Sequence, residues 1–302
     1  MARESRLIRV ARLAYFIARK ALPMYTHPKS PHHYTFPQLA ACVLLTFYLD
    51  LSYRDMEDWL LASDQVREVL ELQKVPDHTT LWRTFDRLTL SRIRRMLREL
   101  LNLLGVKENI ISVDSTGFRL SQASAYYVTR KGKTYREWIK GAYAVGASSQ
   151  MILAFRQGKG PGSDARFHKG LKRDAAPYGE KENGRPCWLL VGDAGFDGAD
   201  VDEEDIIPPI RRGGNLVSPE RIARKERVDA ARLDGIYGQR WKSETVHSVI
   251  KRKFGDDIRS RNIRRQMREP AIKGLVYALH RQFFSPLSAY KGLRAHLCNR
   301  AN

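Results

Sequence analysis

The chain has 302 residues, room for one large domain or two ordinary ones, and its 43% hydrophobic and 28% charged content is that of a globular protein, not a disordered one. It carries 53 Lys and Arg against 33 Asp and Glu, a net charge of +20, so its surface seeks a polyanion: nucleic acid first, an anionic membrane surface second. Three cysteines, Cys42, Cys187 and Cys298, lie far apart with no CxxC pair, which argues against a zinc ribbon or a disulfide framework; Cys42 and Cys187 are expected to be buried thiols in a reducing cytoplasm.

The first twenty residues, MARESRLIRVARLAYFIARK, have no uncharged run longer than Leu13 to Ala18 and read as a basic amphipathic helix. No stretch reaches the ~18 apolar residues of a membrane span, so no membrane partner is expected. Residues 1–109 read as helices throughout. Thr35 to Asp50 is a core helix. Ser52 with Asp55 three residues on caps the next. Asp64 to Leu72 is a shorter segment. Pro76-Asp77 opens a helix whose buried stripe is Leu81, Phe85 and Leu88, with Arg83 and Arg87 turned away. Ser91 to Leu104 is a Leu/Arg helix that Gly105 terminates. Short helices followed by one starting His78-Thr79-Thr80 suit a helix-turn-helix, in which Thr79, Thr80 and Arg83 meet DNA; a plain helical bundle fits the pattern equally, and the net charge favours DNA.

From Ile110 the texture changes. ENIISVDSTGF reads as a short buried strand with Asp114 at its exit. Residues 126–156 hold two or three antiparallel strands, with turns at Lys131-Gly132-Lys133 and Ser148-Ser149-Gln150. GKGPGSD (158–164) is a loop, and Asp164 to Tyr178 holds a short helix. Trp188 to Val191 is a second apolar run, ending in Asp193 between Gly192 and Gly195. Asp197 is a rival to Asp193 on pattern alone. Ile206 to Ile210 is at best an edge strand, because Pro208 and Pro209 cannot donate to a ladder. Residues 211–235 read as a basic loop that tracks a partner. Lys253 to Arg268 is densely basic, Ala271 to Phe284 is an apolar helix, and a tail follows Pro286.

The stretch YGQRWKSETVHSVIK (237–251) holds the chemistry together. On a helix at ~100° per residue, Tyr237, Arg240, Glu244 and Lys251 fall within roughly 60°. Val246, Val249 and Ile250 face the other way. Asp114 and Asp193 at the ends of adjacent strands, with Glu244 on a helix packed over them, would make three clustered carboxylates. Such a cluster repels itself unless cations sit within it, and hard oxygen donors suit Mg²⁺ or Mn²⁺. Each piece alone is commonplace: a strand-end Asp is usually a cap, and a lone helical Glu is usually solvated. His247 lies near the Glu244 face, where a packing role is the plainer reading.

The conjunction is more specific. Tyr237, two residues, Arg240, three residues, Glu244, six residues, Lys251 resembles the Y-R-E-K signature of DDE transposases of bacterial and archaeal insertion sequences, closest to the IS-five-type branch. VDSTGF and GDAGFDG resemble the regions of the family's two catalytic aspartates, and VPDHTTLWRTFDRL resembles a segment of its N-terminal helical domain. The resemblance spans roughly residues 35 to 280. It implies an α/β fold: a ribonuclease H-like catalytic domain, a mixed five-stranded sheet flanked by helices, over residues 110–285. An all-α DNA-binding and dimerisation region (1–109) would precede it and a C-terminal tail (286–302) would follow.

It further implies a transposase that binds terminal inverted repeats in double-stranded DNA, cleaves there and joins 3′ ends to target DNA. Asp114, Asp193 and Glu244 would be catalytic and hold two Mg²⁺ or Mn²⁺ ions. Tyr237, Arg240 and Lys251 would contact DNA, and a homodimer would pair the two ends in the cytoplasm, on the nucleoid. The alternatives are a metal-dependent nuclease that cuts without joining and a domesticated DNA-binding descendant.

Overall fold

Each of the early helices except the short fourth one starts where a side chain satisfies free N–H groups. The computed structural model describes residues 4–27, 29, 32–120, 130, 138–198, 200–210 and 218–283. Helix α1 (Arg6–Ala21) opens on Ser5, whose hydroxyl accepts from the Ile8 N–H. Helix α2 (Phe36–Leu49) opens on a Thr35/Gln38 capping box, and α3 (Tyr53–Leu61) on the expected Ser52/Asp55 box. A short α4 (Asp64–Val69) leads to α5 (His78–Arg87), capped by Asp77, and α6 (Leu90–Leu103), capped by Thr89. Chain reversal after α6 uses Gly105 at φ +57°, where a side chain would be strained. Leu81, Phe85 and Leu88 are buried as the periodicity predicts.

The sheet follows. Strands β1 (Ile110–Leu120), β2 (Trp138–Gly146) and β3 (Ile152–Gly160) form an antiparallel meander. Helix α7 (Ala165–Ala175) and a small hairpin, β4 (Lys181–Glu182) with β5 (Arg185–Pro186), lead to β6 (Leu189–Gly192). Strand β6 lies parallel to β1 on the side away from β2, giving the order β3-β2-β1-β6. Then come α8 (Pro219–Leu233), α9 (Trp241–Phe254), β7 (Asp257–Ile258), α10 (Ile263–Gln266) and α11 (Arg268–Arg281). Strand β7 pairs parallel with the far end of β1 and completes five strands. The fold is thus mixed α/β, a mixed five-stranded sheet flanked by helices.

Helix α11 packs on α2 and α6 on one side and on β2 and β3 on the other. Its residues Ala271 to Leu279 are all buried. Tyr143 in β2 donates to the Pro270 carbonyl at 2.8 Å, fixing the helix to the sheet. One continuous apolar core therefore runs from Ile8 to Leu279, across the expected boundary at residue 110. Among the described residues no single helix is long and apolar enough to cross a membrane.

Several expectations need correction. Asp114 does not end its strand: β1 continues to Leu120 because β2 pairs with it from Ile111↔Gly146 to Arg119↔Trp138. Gly158 to Gly160 belong to β3, not to a loop. Within the expected 211–235 loop lies the 15-residue α8, which starts on Pro219 and buries Val228 and Ala231 against Val191 and Ile206. Ile206 makes only an isolated parallel bridge to Val191. Cys42 is buried, but Cys187 is exposed, because it follows the solvent-facing β4–β5 hairpin. Residues 121–129, 131–137 and 211–217, the expected C-terminal tail and Cys298 lie outside the described residues.

Candidate active site

The register of β1 with β6 sets the first two carboxylates side by side. Val113 stands opposite Gly192, so the next residues along, Asp114 and Asp193, leave the ladder abreast. Gly192 permits this approach: a methyl group there would lie 2.8 Å from Val113 Cγ2. The Asp114 carboxylate accepts from the Ser115 N–H at 2.8 Å, and Asp193 Oδ1 accepts from the Gly195 N–H at 3.0 Å, capping a single 3-10 turn. Both are largely buried and underpaired. Burial, with the Asp193 and Glu244 charges, pushes the Asp114 carboxyl up to about 6, against the lowering pull of the Ser115 N–H and Arg240. Burial, with nearby Asp164, raises Asp193 as well, against the Gly195 N–H, Arg240 and Lys140.

Glu244 comes from the first turn of α9, which packs against β1. The expected single helix over 237–251 is a 3-10 turn (Tyr237–Arg240) running into α9. Tyr237 and Arg240 still align, because residues three apart eclipse in a 3-10 turn, and Arg240 and Glu244 are one α-turn apart. Two buried serines fix this junction: Ser112 Oγ and Ser243 Oγ are 2.9 Å apart, and Ser243 donates to the Arg240 carbonyl at 2.7 Å. Ser112 precedes Asp114 by two residues and Ser243 immediately precedes Glu244, so the pair ties one carboxylate's strand to the other's helix.

The Glu244 carboxylate is half exposed and held by Arg240 Nη2 at 2.7 Å. Burial alone would lower the Arg240 guanidinium, but Glu244, Asp114 and Tyr237 outweigh it and raise it. His247, one turn further, is buried with Nδ1 3.5 Å from Asp114 Oδ2 and its ring 5.6 Å from that of Tyr143. Burial and Lys251 push this imidazole down to about 3, so it packs beside Asp114 as a neutral ring.

The rival carboxylate is structural. Asp197 is 6% exposed and accepts from Arg224 at 2.6 Å, Arg221 at 3.0 Å and the Ile210 N–H at 2.9 Å, clamping α8 to the loop after β6. Tyr237 packs against the Val191, Ile206 and Val228 cluster, with the Arg232 guanidinium 5.0 Å from its ring. Lys251 lies on α9 two turns beyond Glu244, with Nζ 6.0 Å from the Phe118 ring centroid. Thr79, Thr80 and Arg83 stand apart from these residues on α5. Both threonine hydroxyls donate to the capping Asp77 carboxylate. Arg83 and Thr79 line an open cleft of about 480 Å³ with Arg54, His78 and exposed Trp82.

Sequence reasoning missed Ser112, Ser243, Lys140 and Asp164. Lys140 on β2 bonds Asp164 at 2.7 Å beside Asp193, and its signal was a lone lysine inside the apolar run WIKGAYAV.

Residues 105–279 match the family described as "Transposase DDE domain". The chain belongs to that family. A cryo-EM structure of the piggyBac transposase synaptic complex with hairpin DNA is similar at 8% identity and a TM-score of 0.37, over 95% of this chain and 76% of that one. No curated protein matches.

DDE transposases generally use divalent metal ions, and the donor chemistry here fits one in part. Asp114 and Asp193 offer adjacent hard oxygens, and burial, which raises both carboxyls, makes them costly to keep charged without a cation. Among the described residues no three His, Cys, Asp or Glu side chains are gathered closely enough for one ion. Glu244 is paired through Oε1 with the Arg240 guanidinium.

Proposed function

We propose that this DDE transposase binds the terminal inverted repeats of an insertion sequence, cleaves the DNA there and joins the freed 3′ ends to target DNA. The observation that carries the reading is the β1–β6 register, which puts Asp114 and Asp193 abreast beneath the helix bearing Glu244. Asp114, Asp193 and Glu244 would hold Mg²⁺ or Mn²⁺. Two such ions activate a water or a 3′-hydroxyl and stabilise the leaving oxygen in phosphodiester displacement. The chain's own part is positional. Glu244 turns from Arg240 to the aspartates, and the freed guanidinium takes a DNA phosphate, for which its planar fork is suited. Lys251, two turns along the same helix, contacts the backbone further on, and Tyr237 helps place the cleaved end.

The antiparallel β3-β2-β1 meander followed by parallel β6 supports a ribonuclease H-like domain over residues 110–285. The Y-R-E-K spacing favours the IS-five-type branch. The net charge of +20 and the α5 cleft with Arg54 and Arg83 support DNA binding by the helical region, residues 1–109. Two ends cut together call for a homodimer acting on double-stranded DNA at the nucleoid.

The test is a plasmid carrying the DNA that flanks the gene, incubated with Mg²⁺ and wild-type protein or Glu244→Gln. Cuts at the repeat boundaries and joined products from wild type alone support the proposal. Cutting without joining makes the protein a nuclease. End binding with no wild-type cutting in Mg²⁺ or Mn²⁺ makes it a domesticated DNA-binding descendant.

A further inference from the structure

Beside Asp193 stands an ion pair that the proposed chemistry leaves unused. Lys140 comes from β2, and its Nζ donates to Asp164 Oδ1 at 2.7 Å and to the Gly162 carbonyl at 2.8 Å. Both side chains are 15% exposed, so the pair is largely dry. Asp164 occupies the N-cap position of α7 yet makes no side-chain capping bond, so helix capping does not account for its carboxylate. Its second oxygen faces the active site. A methyl group added at Gly195 would lie 3.1 Å from Asp193 Oδ1 and 3.4 Å from Asp164 Oδ2, so the two carboxylates approach each other over bare glycine backbone. Bringing like charges together in a half-dry pocket is costly unless something there compensates them. Lys140 compensates Asp164, and its charge also acts on Asp193.

We propose that Lys140 and Asp164 are a positioning pair of the catalytic centre: Lys140 tethers Asp164 opposite Asp193 across Gly195, and their opposed charges set how tightly Asp114 and Asp193 hold a divalent cation. This rests on the reading of Asp193 as a metal ligand. The Asp164 charge draws a cation towards Asp193. The Lys140 charge opposes it and keeps the facing carboxylates tolerable while no cation is bound. The two members of one ion pair therefore act on cation affinity with opposite sign, which a purely structural tether does not do.

Mn²⁺ binding to the full-length, DNA-free protein, read from the paramagnetic resonance signal of free Mn²⁺, tests this without any catalytic assay. Asp164→Asn should weaken binding about tenfold, the scale of one unit charge acting on a divalent ion a residue's width away in a partly screened pocket. Lys140→Met should tighten it several-fold, and the double variant should fall between the two. Thermal melts without metal establish that each variant is folded; if Asp164→Asn does not fold, the sign of the Lys140→Met change decides. Unchanged affinity in both variants, or weakening in both, overturns the inference while Asp193→Asn still loses Mn²⁺. If Asp193→Asn binds Mn²⁺ as wild type does, the metal-ligand reading fails and this inference with it.

Discussion

Two aspartates in GDAGFDG compete on pattern for one catalytic role, and replacing each separates them. Asp197 holds Arg224, Arg221 and the Ile210 N–H at once, at 6% exposure. Asp197→Ala leaves the Arg224 guanidinium, itself 13% exposed, without its partner and the Ile210 N–H without an acceptor. Breaking a buried ion pair by removing one member costs about 3–5 kcal/mol, a large share of a domain's net stability. Asp193→Asn removes one charge from a crowded carboxylate pocket and keeps an oxygen for the Gly195 N–H, so its stability should stay within about 1 kcal/mol of wild type. Urea titrations followed by circular dichroism give both numbers, and limited proteolysis across α8 reports whether its clamp has opened. The expected result is a destabilised, protease-sensitive Asp197→Ala and a stable, cleavage-dead Asp193→Asn. A stable Asp197→Ala that loses Mn²⁺ and cleavage together would refute the assignment and make Asp197 the ligand.

Ser243→Ala removes the serine–serine hydrogen bond between α9 and β1, leaving Ser112 with a 3.4 Å approach to the Arg240 carbonyl. It should cost about 1–2 kcal/mol and slow cleavage while end binding persists; a double-mutant cycle with Ser112→Ala should show coupling, and strict additivity would contradict the link. Charge reversal at Arg83 and Arg87 should weaken DNA-end binding and reduce the slope of affinity against salt, whereas unchanged affinity and slope in a filter-binding series would return α5 to a plain bundle helix. Asp205 is buried, which alone would raise its carboxyl, but His168 and Lys172 outweigh that and lower it. Because the folded form is the more acidic, its stabilisation is complete above the unfolded pKa of ~3.8 and is lost as pH falls through the lower folded value. Asp205→Asn should therefore flatten the loss of urea stability below pH 4, and an acid limb identical to wild type would contradict the pairing.

The sequence made the site legible wherever chemistry and chain periodicity coincide. Asp193 stands directly after four strand residues, and Glu244 is one helical turn from Arg240, so local spacing was enough to find them. Helix caps such as Ser52/Asp55 are equally local. What escaped depends on partners distant in sequence. The α8 segment looks like a polar loop because only Val228 and Ala231 are buried along it, and its order also comes from Asp197 on another element. Strand β1 looks short because Ser115, Thr116 and Gly117 break its apolar run, yet β2 supplies the pairing that carries it on to Leu120. Lys140 and Asp164 meet only through the β2–β3 meander and the turn into α7. No local pattern announces a pair 24 residues apart.

Asp114 and Asp193 are proposed to hold the divalent ion that cleavage needs, and a change of ligand tests this most directly. Asp114→Cys and Asp193→Cys replace a hard oxygen donor with a thiolate, which Mg²⁺ disfavours and softer Mn²⁺ tolerates better. End cleavage by folded, DNA-binding variants is measured in each metal. The account predicts no cleavage in Mg²⁺ and partial recovery in Mn²⁺ for both. Wild-type cleavage in Mg²⁺ by either variant, or equal loss in both metals, would contradict it.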